Sequence, residues 1–579
     1  MLTPFGEKLS DALPLQEHPR PQMERENWLN LNGQWDYAIT ETVQGETTPI
    51  HWDGKILVPF SPEAPLSGVN RTLDSSHTLW YSRTLLLPGN WNAEQYRYLL
   101  HFDAVDQEAC VYVNDREAGT HMGGYTAFVL DVTDYIVPGE NQLVVRVHDD
   151  TDESWHSRGK QSSKRGGIWY TPQSGIWQTV WMERVPREYI TGLDMVADID
   201  NELLHITVST EGTGECTVFS EGKEYRLPVN EPAKIPVREL HLWSPENPYL
   251  YPLEIVYGSD RVKSYFAMRK TEVRMDKKGI KRLYLNNVPC FHNGLLDQGY
   301  WPDGLYTPPS DDAMVYDIQT MKDLGFNMLR KHIKVEPMRW YYHCDRLGML
   351  VWQDMVNGGG RYKFGVISVP LVSGIHIKDN HYRAFAREAE EGRREYAREL
   401  MEMICQLKNV PSIVLWVPFN EGWGQFDSAK ACQMINELDG SRPIDHASGW
   451  HDQKIGDIKS LHVYFRPYKF RKDKKNRAVV LSEFGGYNLP VEGHTWNKAN
   501  FGYKGFATEE EFWTAYEKLF REQILPAIPK GLAATVYTQV TDVEDEVNGL
   551  MTYDRRIVKV PKEKIRALNE EIIALGKEK

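Results

Sequence analysis

The chain has 579 residues, 41% hydrophobic and 26% charged, with a net charge of −14 at pH 7. That length is too great for one core and implies three or four domains. The acidic balance, with a pI near 5.8, excludes nucleic acid or an anionic membrane surface as the main partner.

The N-terminal stretch MLTPFGEKLSDALPLQEHPRP has neither a basic start nor an apolar run, so no secretory signal is expected. No run of about 18 apolar residues occurs, so no membrane span is expected. From about 24 to 185 the chain reads as short strands in regular succession, among them WDYAIT, YRYLLHF, ACVYVND, NQLVVRVHD and IWQTVWMERV. Such spacing indicates a sandwich or jelly roll. Residues 186–275 continue in strands (LLHITVST, ECTVFS, LYPLEIVYG) around the Pro-rich bridge HLWSPENPYLY, and have the size of an immunoglobulin-like sandwich. From about 276 strands alternate with amphipathic helices. Strands are expected at 288–294, 327–332, 349–355, 413–420, 443–448, 461–465, 478–484 and 533–540, and helices in DDAMVYDIQTMKDLG and EEEFWTAYEKLFREQILPAI. Eight strands alternating with helices over about 300 residues predict a (β/α)₈ TIM barrel. The domain expectation is therefore 1–185 jelly roll, 186–275 immunoglobulin-like sandwich and 276–579 barrel. Cysteines at 110, 216, 290, 344, 405 and 432 form no CxxC or Cys/His cluster, which predicts no zinc site and fits a reducing cytoplasm.

Two of the barrel runs end in the same way. IVLWVPFNEGWG (413–424) is apolar until Asn420-Glu421, and VVLSEFGGY (479–487) is apolar until Ser482-Glu483. The C-terminal ends of barrel strands converge on one site, so both carboxylates are expected in one pocket. The plain alternative is a pair of salt-bridged structural residues. Glycines beside both are read here as making room for a ligand against the backbone. Two carboxylates across a sugar are the machinery of glycoside hydrolysis: one gives a proton to the leaving oxygen and one attacks the anomeric carbon.

With these motifs the chain resembles glycoside hydrolase family 2. LNLNGQWDYAI (29–39), HFDAVDQEACVYVND (101–115) and SGIWQTVWMERV (174–185) resemble that family's sugar-binding jelly roll. LWSPENPYLY (242–251) resembles its immunoglobulin-like domain, and LGFNMLRKHIKVEPMRWYYHCDRLGMLVWQDM (324–355) its early barrel. The resemblance implies a retaining exo-glycosidase with Glu421 as general acid/base and Glu483 as nucleophile. It also implies Asn420 on the glycone 2-hydroxyl, Arg330 holding the nucleophile ionised, and Tyr464 hydrogen-bonded to it. His462 either assists or is a satisfied core histidine. Asp297, Gln298 and Trp301 after the first strand, Asp354 after the third and Trp423 beside the acid/base are further candidates for sugar contact, each with a structural alternative. The acidic run 542–546 is a site rim or a solvated loop. The segment holding Trp155, Arg158, Lys160 and Trp169 belongs to the jelly roll. Such a segment reaches the barrel mouth in this family, and none of the four is singled out.

Two departures from better-known members matter. Glucuronidases of the family carry Asn-x-Lys near the barrel's end, where this chain has Asn548-Gly549-Leu550. The Glu-x-His metal pair of large galactosidases has no counterpart at a matching place. No metal ligands are therefore assigned, with assistance by a divalent cation left open, and the lack of a GxGxxG or P-loop pattern implies no organic cofactor. A β-D-galactoside leads as substrate. A β-galactofuranoside, an α-L-arabinopyranoside and a β-glucuronide stay open, as does a non-catalytic carbohydrate-binding protein. Partners are expected to be oligosaccharides or glycosides, with no nucleic acid and no membrane; homo-oligomerisation is left open on analogy alone.

Overall fold

The computed structural model describes residues 1–577 except 10–12, 44, 46, 88–93 and 371–373. The N-terminal part is two facing antiparallel sheets. Six strands run in the order Gly54–Val58, Gly33–Glu41, His77–Leu86, Glu140–His148, Glu108–Val113, Arg116–Met122, and four in the order Trp28–Asn30, Val180–Pro186, Tyr96–Phe102, Phe128–Asp131. Alternating inward residues, including Trp35, Tyr81, Tyr98, Leu100, Val111, Val145 and Val180, fill the space between them. A second, smaller sandwich follows, with three strands (Ile190–Asp198, Leu203–Thr210, Ala233–Pro236) against four (Lys223–Pro228, Glu215–Ser220, Tyr251–Tyr257, Asp260–Phe266).

The C-terminal part holds a seven-stranded parallel sheet, ordered Ile413–Val417, Leu350–Asp354, Met328–Lys331, His292–Asp297, Leu532–Thr538, Ala478–Gly485, Ile458–Val463. Residues 443–448 lie in the remaining gap. They bridge to the first of these strands through Trp416↔Ile444 and Asn420↔Ser448, both parallel. On the other side the Asp457 N–H donates to the Ile444 carbonyl at 3.1 Å. The sheet thus closes as a TIM barrel whose fifth stave is a bridging segment rather than a regular strand. It starts at Pro443, which cannot donate to a ladder.

The first barrel strand differs from expectation. Instead of one strand over 288–294, Val288–Pro289 turns back on Lys281–Leu285, and the barrel strand is His292–Asp297. Asn286 and Asn287, at φ 53° and 64°, make the tight turn, and Pro289 is unsuited to a central strand. The resulting hairpin places Leu283 and Leu285 in one apolar cluster with Met328, Leu350, Trp352, Val414 and Val480, residues of the barrel strands themselves. Helix Asp311–Asp323 is capped by Ser310, whose side chain accepts from the Ala313 N–H, and helix Glu509–Leu519 by Thr508 in the same way. Among the described residues no helix is long and apolar enough to cross a membrane, and all six cysteines are free.

Candidate active site

The strand Ile413–Val417 ends four residues before Glu421, and Pro418-Phe419 carry the chain out of the ladder. Pairing resumes where Ser448 donates to the Phe419 carbonyl at 2.8 Å and Glu421 donates to the Ser448 carbonyl at 2.9 Å. These bonds hold Glu421 at φ 50°, a left-handed conformation uncommon for residues with a Cβ. Glu483, by contrast, lies inside the strand Ala478–Gly485. Oxygens of the two carboxylates and Nδ1 or Nε2 of His462 all lie within 4.8 Å of one another, and all three residues are buried.

The two carboxylates have different partners. Glu483 Oε1 accepts from Arg330 Nη1 at 3.1 Å and Oε2 from the Tyr464 hydroxyl at 2.7 Å. Burial pushes its pKa up, and Glu421 adds to this, while His462, 3.5 Å from Oε2, pulls it down together with Arg330 and Tyr464. Glu421 has no arginine in contact. Its Oε1 is 2.7 Å from His462 Nδ1, and burial raises it to about 7, against the pull of Lys160 and Arg330. Burial lowers His462 to about 4, so near neutrality the ring is uncharged. Its other nitrogen is 3.0 Å from Ser448 Oγ, which is 3.3 Å from Ser460 Oγ. Ser460 donates to Ser482 Oγ, and Ser482 to the Leu461 carbonyl at 3.2 Å. A carbonyl only accepts, so the chain of donors runs toward it. Nε2–H of His462 then donates to Ser448, and Nδ1 is left to accept from a protonated Glu421. Proton placement is assigned here from the network, and it matches the raised pKa of Glu421.

Arg330 is 0% exposed and holds the constellation together. Besides Glu483 it makes a two-point contact with Asp354 at 3.0 Å each and donates to Asn420 Oδ1 at 2.8 Å. His332 Nδ1 lies 2.9 Å from Asp354. Asp354 therefore orients Arg330. Asn420, with its oxygen committed, is left with a buried Nδ2 that has no partner among the described residues. Tyr464 stacks on Tyr503 with centroids 3.8 Å apart. Trp423 is 2% exposed, its Nε1 is also unpartnered, and its ring faces Trp169 at 5.2 Å.

Glu421, Glu483, Asn420, Arg330, Tyr464, His462 and Asp354 thus form one connected set, with Trp423 against the same wall. The residues after the first strand are placed otherwise. Asp297 is paired with Lys331 at 2.7 Å, on the residue next to Arg330 and so on the opposite face of that strand. Trp301 lies under the guanidinium of Arg555 at 3.9 Å. Gln298 donates to Gln539, which donates to Asn548, which donates to Glu546, each at 2.8 or 2.9 Å. Among the described residues its side-chain link toward the site runs through that chain. The solvated-loop reading of 542–546 fails at three positions: Asp542, Glu544 and Glu546 are 1%, 1% and 2% exposed. Asp542 is bound by Lys559, Glu544 by the Thr171 N–H and Glu546 by the Tyr170 hydroxyl.

The glycine expectation is also corrected. A Cβ on Gly485 would lie 2.2 Å from the Tyr537 ring, on Gly486 2.3 Å from Tyr503, on Gly422 2.5 Å from His451 and on Gly424 2.1 Å from the Gly358 carbonyl. These glycines let neighbouring loops close onto the backbone and so position the glutamates by packing.

Sequence reasoning left Lys160, Tyr170, Ser448, Tyr503 and Glu546 unassigned. The first two come from the jelly-roll segment, which crosses to the barrel. Arg158 and Gly159 N–H groups donate to the Asn357 carbonyl at 2.9 and 3.1 Å, and His156 Nδ1 is 2.7 Å from Glu395. The signal was present as a dense run of Trp, Arg and Lys without strand alternation, but sequence does not say which side chain points inward.

The chain matches three family models in succession: "Glycosyl hydrolases family 2, sugar binding domain" over residues 43–186, "Glycosyl hydrolases family 2" over 193–269, and "Glycosyl hydrolases family 2, TIM barrel domain" over 308–493. It is 24% identical over 446 residues to a beta-galactosidase of Thermoanaerobacter pseudethanolicus, covering 72% of this chain and 55% of that one. It is 26% identical over 473 residues to a putative beta-glucuronidase of Formosa agariphila, covering 72% and 51%. The chain spans about half the length of the curated relatives it matches. Among solved structures, a beta-glucuronidase from an uncultured Clostridium superposes with a TM-score of 0.73 at 19% identity, over 95% of this chain and 98% of that one. One from Ruminococcus gnavus gives 0.73 at 17% identity over 96% and 99%. At such identity the superpositions show a shared fold. Three consecutive domain matches in one order, over a jelly roll, a second sandwich and a barrel, together place well over half of these residues in one lineage: the chain belongs to glycosyl hydrolase family 2.

Proposed function

We propose that this protein is a retaining, exo-acting glycoside hydrolase that removes terminal non-reducing β-D-galactosyl residues from oligosaccharides or glycosides. The observation that carries this reading is the asymmetry of two neighbouring buried carboxylates, one tied to Arg330 and Tyr464, the other to a neutral histidine with its pKa raised to about 7. Their oxygens approach within 4.8 Å. Inverting enzymes need about 6.5–9.5 Å to admit water between the carboxyl groups, and retaining ones about 5–5.5 Å. In the first step Glu421 gives its proton to the glycosidic oxygen, the C1–O bond breaks, and a Glu483 oxygen bonds to C1. In the second, water loses a proton to Glu421, its oxygen bonds to C1, and the bond to Glu483 breaks. The unpartnered Asn420 Nδ2 and Trp423 Nε1 are donors suited to glycone hydroxyls.

A neutral glycone is supported over a uronide by Asn548, whose amide is spent on Gln539 and Glu546, and by Leu550, fully buried. Relatives described as beta-galactosidases support the same glycone. Residues 1–185, 186–275 and 276–579 are proposed as the three functional units. The free cysteines favour a reducing compartment. The test is hydrolysis of p-nitrophenyl β-galactopyranoside, β-galactofuranoside, α-L-arabinopyranoside, β-glucuronide and β-mannoside, with Glu483→Ala as control. Galactoside turnover that the variant abolishes is expected. Silence across the panel from folded protein would favour a non-catalytic sugar-binding role.

A further inference from the structure

Lys160 is an ammonium buried in the mouth of the barrel. The residue is 5% exposed, and its Nζ lies 4.7 Å from the Trp423 ring centroid, 5.7 Å from Trp169 and 5.8 Å from Tyr170. Among the described residues its Nζ makes no hydrogen bond and no ion pair, and the atom itself is not sealed from solvent. Aromatic faces offset part of the cost of burying a cation, but an ammonium carries three donors and calls for oxygen. The charges that act on it most, in order, are Glu546, Glu421 and Glu483, with Arg330 opposing. Its backbone is pinned. The Lys160 carbonyl accepts from the Tyr170 N–H at 3.0 Å, and the two residues before it are tied to Asn357.

Glu546 is the complement. Its Oε2 accepts from the Tyr170 hydroxyl and Oε1 from Asn548 at 2.9 Å, which leaves acceptor capacity on both oxygens. It is 2% exposed and forms no salt bridge with Lys160. Lys160 and Glu546 meet at Tyr170, one 5.8 Å from its ring centroid and the other at its hydroxyl, and offer a free donor and a free acceptor, while a sugar hydroxyl is both. A carboxylate would satisfy Lys160 but would face the carboxylates of Glu546 and Glu483, a repulsion that a neutral hydroxyl does not meet.

We propose that Lys160 of the jelly roll and Glu546 of the barrel form a glycone-specificity pair that reads one neutral hydroxyl, which accepts from Lys160 and donates to Glu546. The inference rests on the glycosidase reading and names the feature of the glycone that the two domains select together. It makes Lys160 a substrate contact that the barrel's own strands do not supply.

The test uses the full chain and compares wild type, Lys160→Met and Glu546→Gln on p-nitrophenyl β-galactopyranoside, its 2-, 3-, 4- and 6-monodeoxy analogues and the β-galacturonide. In wild type, one deoxy analogue is expected to lose about 10- to 100-fold in kcat/KM, the worth of a hydrogen bond to a charged group. In Lys160→Met the parent substrate falls by a similar factor, and that same deletion costs little more, while the other deletions keep their wild-type cost. Equal losses for every analogue in wild type and variant would mean a structural role and would overturn the pair, as would a galacturonide turned over faster than the galactoside. Thermal unfolding of each variant separates misfolding from lost contact. If wild type cleaves none of these substrates, the galactosidase reading itself falls, and the pair with it.

Discussion

Arg330 offers the sharpest test of how the site keeps one carboxylate ionised. Replacing it with methionine, Arg330→Met, retains length and apolar volume and removes the only guanidinium in contact with Glu483 among the described residues. Charges about 4 Å apart at an effective dielectric of about 20 interact by about 4 kcal/mol. Both side chains are buried, at 0% and 6% exposure, so solvent screening takes little from that figure. At a factor of ten per 1.4 kcal/mol, the ionised fraction of Glu483 falls up to about a thousandfold wherever the pH lies below its new titration. The sign follows from the role. A nucleophile acts when ionised, loss of a nearby cation favours the protonated form, and so the acid limb of kcat/KM moves to higher pH. The assay is kcat/KM for an aryl galactoside from pH 4 to 9, with thermal unfolding alongside, since breaking a buried pair costs about 3–5 kcal/mol. Arg330→Lys keeps a charge but loses the two-point contact with Asp354 and the bond to Asn420. It should restore the limb while remaining slow. A folded Arg330→Met enzyme whose acid limb stays at the wild-type pH would refute the reasoning.

Glu421, raised to about 7, should set the alkaline limb: wild-type kcat/KM falls about tenfold per pH unit above it, because the acid form is the active one. Glu421→Gln should lose that limb, slow substrates with poor leaving groups by about 10²–10⁴-fold, and be rescued by azide; persistence of the limb in the variant would assign it to another group. Glu63 and Glu399 are buried carboxylates, each raised to about 8 by desolvation. A folded-state pKa above the unfolded one gives stability that is complete below about 4.5 and is lost as pH rises through about 8. Tm should therefore drop between about pH 4.5 and 8 and level off above, less steeply in Glu63→Gln and Glu399→Gln, and a flat wild-type profile would count against the assignment. Gly159 has φ +64°, and a Cβ there would sit 2.7 Å from Tyr306 Oη, 3.0 Å from Tyr125 Oη and 3.1 Å from the Ile333 carbonyl. Gly159→Ala should displace Lys160 and lower kcat/KM while leaving the pH limbs in place; unchanged kinetics would show that the segment's position does not matter.

The barrel was legible because its strands are buried on both faces and read as apolar runs, so that Asn420-Glu421 and Ser482-Glu483 stand out as interruptions. Arg330, Tyr464 and Asp354 could be found for a related reason, since each lies within one residue of a strand's C-terminal end. What stayed hidden depends on the face toward which a residue turns. Asp297 and Arg330 sit in adjacent strands, yet Asp297 is opposite Lys331 in the register, and one residue's difference takes it out of the site. The glycines misled because a missing Cβ looks the same in sequence whether a ligand or a neighbouring ring fills the space. Asn286-Asn287 and Pro289 do signal a turn ahead of the barrel strand, but an apolar run that continues through 291 masks it.

The jelly roll bears on the site for a reason that the catalytic pair cannot supply. On the proposed reading Glu421 and Glu483 act on the anomeric centre, which is common to many glycosides, so discrimination has to come from groups that meet the rest of the ring. Trp423 and Asn420 are provided by the barrel, but the wall is extended by the jelly roll, whose Lys160 and Trp169 pack against Trp423 with Tyr170 beside Lys160. That wall is fastened at two places: to the Asn357 carbonyl after the third barrel strand, and to Glu544 and Glu546 after the last. Each bond contributes only about 0.5–1.5 kcal/mol, yet together they fix a segment that has no strand of its own, and the interior placement of Lys160 is possible only because both ends are held. Changes at the junction between the domains should therefore alter which sugar is accepted before they alter the chemistry performed on it.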